Sequence, residues 1–127
     1  MVSSVVLDSS AVLALLLAEP GADKVAAVLT QSCISTVNLA EVITKLVDKQ
    51  ASAHQFALAQ GLPIVKMPFD ESQAISAGHL RTTTKASGLS PGDRACLALA
   101  QALGLPVLTA DRAWAGLKVG VTVQLIR

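Results

Sequence analysis

The chain has 127 residues, a formal net charge of +1, 52% apolar residues and only 15% charged ones. That length suits one domain, residues 1–127, able to bury about two-thirds of the surface its unfolded form exposes, and the near-neutral balance argues against a protein that clings to polyanions by bulk charge. With two Phe, one Trp and no Tyr, the core must be aliphatic.

Ser4 to Leu7, rich in valine, reads as a short buried strand, and Ser10 to Leu17 as a helix stopped by Glu19-Pro20-Gly21. Ala22 to Gln31 has apolar residues at helical spacing, Cys33 to Thr36 reads as a second strand, and Leu39, Val42, Ile43, Leu46 and Val47 mark an amphipathic helix. Ser52 to Gln60 is a short helix ended by Gly61, and Pro63 to Met67 a third strand. Asp70 and Gln73 have the spacing of a capping box and open a helix to about Thr83, followed by a loop from Thr84 to Leu89. Ser90-Pro91-Gly92-Asp93 starts the next helix, with Ser90 as cap and Pro91 in the first position, and Gly104 ends it. Pro106 to Leu108, a helical turn from Arg112 to Gly116, and a strand from Val121 to Ile126 complete the chain. Strands alternating with helices predict an α/β/α sandwich around a mainly parallel sheet.

No basic segment opens the chain, and Asp8 interrupts the first apolar stretch, so no signal peptide is expected. The apolar run from Ala11 to Ala18 is far shorter than the roughly 20 residues a membrane span needs. Cys33 and Cys96 lie apart in apolar contexts and form no C-x-x-C, which predicts reduced core thiols and a cytoplasmic protein.

Among nine acidic residues, Asp8, Glu41, Asp93 and Asp111 stand where strand ends meet helix starts. Each has a local explanation as a helix cap or first-turn acid: Asp8 for the first helix, Glu41 with Asn38 as its cap, Asp93 in a box with Ser90, and Asp111 for the turn at Arg112. Jointly they mark the crevice where an open α/β sheet binds ligands. Carboxylates gathered there would repel one another unless joined by a hard cation such as Mg²⁺ or Mn²⁺, which points to metal-assisted chemistry on a phosphate. Arg81, Lys85, Arg94 and Arg112 are candidates for a basic rim, and Ser9 and Ser10 for helix caps. His54, His79 and Trp114 read as surface or packing residues.

Four segments carry a family resemblance. Val6-Leu7-Asp8-Ser9-Ser10, Asn38-Leu39-Ala40-Glu41-Val42, the run from Leu89 to Ala100 that includes Ser90-Pro91-Gly92-Asp93-Arg94, and Leu108-Thr109-Ala110-Asp111-Arg112-Ala113-Trp114 resemble, in order and spacing, the motifs of PIN-domain ribonucleases of the VapC toxin type. The resemblance implies a PIN-like fold and Mg²⁺- or Mn²⁺-dependent hydrolysis of RNA. It places Asp8, Glu41, Asp93 and Asp111 in the acidic site, with Thr109 as the hydroxyl residue before the last acid. Residues 51–85 match no motif and leave the choice of RNA open. The resemblance also implies a cognate antitoxin protein. The apolar stretches from Val12 to Leu17 and Leu39 to Val47 exceed what a small core consumes, which predicts a homodimer. A Mg²⁺-dependent phosphatase or receiver-type phosphoacceptor is the alternative enzyme class; the absence of an acid close to Asp8 and of a late-strand lysine counts against it. A non-catalytic binding module whose acids are only caps is the third reading.

Overall fold

The computed structural model describes residues 2–127. Five short strands, β1 (Val5–Leu7), β2 (Ser32–Ser35), β3 (Val65–Met67), β4 (Val107–Thr109) and β5 (Val123–Leu125), form a wholly parallel sheet in the order β3-β2-β1-β4-β5. The helices are α1 (Ser9–Leu16), α2 (Ala22–Val28), α3 (Thr36–Asp48), α4 (Ala53–Gly61), α5 (Glu71–His79), α6 (Arg81–Thr84) and α7 (Pro91–Leu103).

Successive side chains of a strand point to opposite faces, so short apolar runs feed two cores. Val5, Leu7, Ile34 and Leu108 enter one core, closed by residues of α1, α2, α3 and α4. Val6, Cys33 and Val107 enter the other, closed by α5, α7 and the fully buried Trp114. The result is the expected α/β/α layering. Both cysteines are free and buried, and among the described residues no helix is long and apolar enough to cross a membrane.

The strand order positions the site. β1 is flanked by β2 on one side and β4 on the other, so the direction in which successive strands are laid down reverses beside β1. Open α/β sheets bind ligands at the carboxyl ends of strands at such a switch point. Here the Asp8 amide donates to the Leu108 carbonyl at 3.2 Å, which fixes the ends of β1 and β4 side by side.

Several boundaries differ from the sequence expectation. β2 runs into α3 without a loop: Ser35 ends the strand and also caps the helix, its hydroxyl accepting from the Val37 amide at 3.2 Å. Thr36 is therefore helical, and Asn38 lies inside the first turn and is not the cap. Asp70 does cap α5, but the Gln73 side chain turns away to the Pro68 carbonyl at 3.3 Å, so only half of that capping box forms. The helix breaks at Leu80, and α6 and a 3-10 turn occupy much of the expected loop. β3 and β5 are shorter than expected because an edge strand has pairing partners on one side only, and β2 and β4 are themselves short. The sheet also consumes much of α1: Val12, Leu13 and Ala14 are buried.

Candidate active site

Asp8 is the first residue past β1 and the cap of α1. It is only 3% exposed. Its Oδ1 accepts from the Ser10 hydroxyl at 2.7 Å and from the Ala11 amide at 2.9 Å. Its Oδ2 accepts from the Thr109 hydroxyl at 2.6 Å and from Ser10 at 2.9 Å. Both hydroxyls are braced from behind, since Ser10 Oγ accepts from the Ala110 amide at 2.9 Å and Thr109 Oγ1 from the Asp111 amide at 3.0 Å. Each backbone donor thus orients a hydroxyl whose single proton goes to Asp8.

Burial is the main reason that the Asp8 carboxyl is pushed up to about 6. The hydrogen bonds from Thr109, Ser10 and Ala11 pull the other way, and the negative charge of Asp93 adds to the rise. Asp93 belongs to α7, and its charge is felt at Asp8. The first turn of α7 is fixed by Pro91 and by a complete capping box: Ser90 Oγ accepts from the Asp93 amide at 3.1 Å, and Asp93 Oδ2 accepts from the Ser90 amide at 3.0 Å. Asp93 thus caps α7 while its charge acts on Asp8.

Glu41 reaches the same region from α3. Its Oε1 accepts from Asn38 Nδ2 at 2.8 Å, and the same amide group donates to the Gly92 carbonyl at 3.0 Å. Asn38 is buried, and its Oδ1 has no hydrogen-bond partner. The Glu41 carboxylate lies directly over the Cα of Gly92: a methyl group there would come within 2.7 Å of Oε1 and closer to Oε2. Beneath the site lies Cys96, whose thiol is pushed well up by burial first and then by Asp8, Asp93, Cys33 and Glu41. Three acids from three elements thus act on one buried group.

Asp111 is different. It is exposed, and its carboxylate accepts from the Ala113 amide at 2.9 Å, capping the turn Arg112–Trp114. It joins the others only through its backbone amide on Thr109. Of the suggested basic rim, Arg81, Lys85 and Arg112 are exposed. Arg94 does not belong to that rim: it is half-buried, and its Nη1 donates to the Ala77 carbonyl at 2.9 Å, tying α7 to α5. His54 and His79 are exposed.

Sequence reasoning undervalued Ser10, Asn38 and Gly92. Ser10 had a signal, two residues after a strand-end aspartate. Asn38 also had one: it stands one helical turn before Glu41, a spacing at which side chains meet. Gly92 had none, because its role depends on a helix from a distant part of the chain.

The donor chemistry fits a hard divalent cation. Asp8, Asp93, Glu41, Ser10 and Thr109 offer oxygen only, and the one ion pair among the described residues, Arg127 with Glu19 at 3.8 Å, lies elsewhere. Among the described residues no three His, Cys, Asp or Glu side chains converge tightly enough to cage an ion by themselves.

A wholly parallel, doubly covered sheet with carboxylates at its switch point defines an α/β protein with an acidic crevice. The chain belongs to the PIN-domain family, whose model matches residues 5–119. No curated protein sequence matches it. Among solved structures it is similar to the DNA-bound VapBC complex from Salmonella typhimurium, with 20% identity, 98% of this chain and 99% of that one covered, and a TM-score of 0.80. It is also similar to VapBC-5 from Mycobacterium tuberculosis, with 25% identity, 98% of both chains and a TM-score of 0.65. The sarcin–ricin loop cleaving toxin VapC20 from the same organism shows 18% identity over 90% of this chain and 96% of that one, with a TM-score of 0.74.

Proposed function

We propose that this protein is a Mg²⁺- or Mn²⁺-dependent endoribonuclease and the cytoplasmic toxin of a toxin–antitoxin pair. The observation that carries the reading is the state of Asp8: buried at the switch point, held by two backbone-braced hydroxyls, within the influence of the Asp93 charge, and, among the described residues, with no cationic side chain paired to it. Family membership and the likeness to VapBC complexes and an RNA-cleaving VapC support it.

Asp8 and Asp93 would hold the ion, with Glu41 completing the set through waters or a second ion. Asp111 caps its turn through Oδ1 and would take part through its other oxygen. A bound divalent ion supplies charge neutralisation and a water of lowered pKa for attack on a phosphodiester. Ser10 and Thr109 fix the direction of the Asp8 lone pairs, and Asn38 fixes Glu41. The phosphoacceptor alternative is disfavoured: a buried carboxylate with both oxygens hydrogen-bonded is badly placed to attack a phosphodonor in line. Capping alone does not separate the readings; the two backbone-braced hydroxyls on Asp8 support an ion-holding role over the binding module.

The test is cleavage of a single-stranded RNA pool with Mg²⁺ or Mn²⁺, stopped by a chelator. Asp93→Asn is expected to lower the rate roughly 100-fold or more and to weaken Mn²⁺ binding in calorimetry. Near-wild-type cleavage by that variant would remove the assignment. A cognate antitoxin would be its protein partner; VapBC toxin–antitoxin complexes are among the similar structures. The homodimer predicted from the apolar helices has a candidate surface on α3, where Val47 is 60% exposed beside half-buried Leu39 and Ile43. Light scattering at micromolar concentration should give twice the chain mass of 13.0 kDa; a monomer rejects the dimer.

A further inference from the structure

We propose that the groove between α1 and α3 is a nucleotide subsite that reads a guanine next to the scissile phosphate, through Lys45 and Asp48. The inference rests on the ribonuclease reading and deepens it.

The groove has a volume of about 530 Å³, and Ser10 and Glu41 form part of its wall. It is therefore continuous with the crevice that holds Asp8. The other sizeable cavity, near Gln101 and Lys118, lies toward the far end of α7 from Asp93. A strand of RNA with one phosphate at the acids must lay a neighbouring nucleotide into adjoining space, and this groove provides it.

The helical spacing of α3 arranges the polar readers. Glu41, Thr44, Lys45 and Asp48 stand at intervals of three and four, forming one stripe that runs from the acids for about 10 Å at 1.5 Å per residue. Val37 and Ala40 supply apolar surface for the face of a base, over a largely buried Leu13. Lys45 and Asp48 are exposed, and among the described residues neither has an ion-pair partner. Thr44 donates its proton to the Ala40 carbonyl at 2.8 Å, so it presents an acceptor only.

Unpaired RNA is recognised by hydrogen bonds to exposed base edges. Guanine carries two adjacent N–H donors beside the O6 acceptor. A carboxylate can take the two N–H groups together while an ammonium donates to O6. Adenine offers no ring N–H on that edge, and the pyrimidines lack the pair of parallel donors. The lysine and aspartate in this groove therefore complement guanine better than the other three bases. A peptide occupant would also find apolar contacts here, but it has no comparable need for a carboxylate and an ammonium one helical turn apart on the same wall.

The experiment digests a randomised single-stranded RNA pool with the intact protein and Mn²⁺, and sequences the new ends. Wild type is expected to enrich guanine on one side of the cut. Asp48→Asn and Lys45→Gln should each reduce that enrichment roughly tenfold, at unchanged melting temperature and unchanged Mn²⁺ binding in calorimetry. Asp23→Asn, on the exposed face of α2, should keep the wild-type preference. Cleavage with no guanine preference, or a preference identical in all variants, overturns the subsite and leaves the nuclease reading standing. The second result is also what a groove serving only a peptide would give. No cleavage by wild type overturns both.

Discussion

Asp8→Asn is expected to lower RNA cleavage roughly 10³-fold and, in metal-free buffer at pH 8, to make the protein more stable. The second effect follows from the carboxyl's position at about 6, against an ordinary 3.8. Between these two values the folded state holds more protons than the unfolded state. Stability therefore falls as pH rises through this window and stays low above it. A gap of about two units corresponds to about 3 kcal/mol. The amide side chain carries no charge to desolvate. It can keep the Ala11 amide as donor to its oxygen, while Ser10 and Thr109 must turn their hydroxyls to face its NH₂ group. That readjustment consumes part of the gain, so a rise of roughly 5 °C in melting temperature is the realistic expectation. The difference should vanish near pH 4, where wild type is itself protonated. Mn²⁺ should raise the melting temperature of wild type by mass action and leave the variant nearly unmoved. Thermal unfolding with a chelator, across pH 4 to 8, checks all of this. A variant less stable than wild type throughout would mean that burial does not dominate at Asp8.

The parts of the site that could be read from the sequence are those set by local rules. A valine-rich strand ending in an acid placed Asp8 correctly, and the short run Ser90-Pro91-Gly92-Asp93 announced its own cap, first residue and capping box. Thr109 and Asp8 meet because β1 and β4 are neighbours, which the alternation of strands and helices made plausible but did not determine. Strand order depends on which apolar faces pack together, and that information is spread over the whole chain.

The misreadings have a common cause. Asn38 looked like a cap because it precedes an acid by three residues; the true cap, Ser35, was hidden because a strand that becomes a helix without a loop has no turn residues to mark the change. Arg94 looked like a rim residue because it follows Asp93. One step along a helix turns a side chain by about 100°, which carries Arg94 to α5 and the Ala77 carbonyl. At Asp111 the strand-end position supported both a cap and a site role, and the carboxylate does cap its own turn. Local spacing located the acids at strand ends and helix starts but not the direction in which each one points.

Gly92→Ala tests the tightest of these long-range contacts. The first turn of α7 tolerates alanine in backbone terms, and the atoms a methyl would meet are the end of the flexible Glu41 side chain. Glu41 can swing away, so the expected loss of stability is small, about 1 kcal/mol or less. The functional cost is different. Swinging away breaks the 2.8 Å bond from Asn38 and moves the carboxylate out of the crevice. A displacement of about 1 Å in a catalytic group can lower a rate roughly 100-fold, and a fall of that size is expected in cleavage. Asn38→Ala should give part of the same loss without any clash. It frees Glu41 from its donor and leaves the Gly92 carbonyl, 54 residues away in sequence from position 38, without that contact. The pair of measurements is cleavage rate and melting temperature on the same preparation. A Gly92→Ala protein that keeps its rate would show that Glu41 works from elsewhere or does not act at all. One that loses rate only because it unfolds would show that Gly92 serves packing. A near-normal melting temperature combined with a large rate loss is the outcome that ties the Asn38–Glu41–Gly92 contact to catalysis.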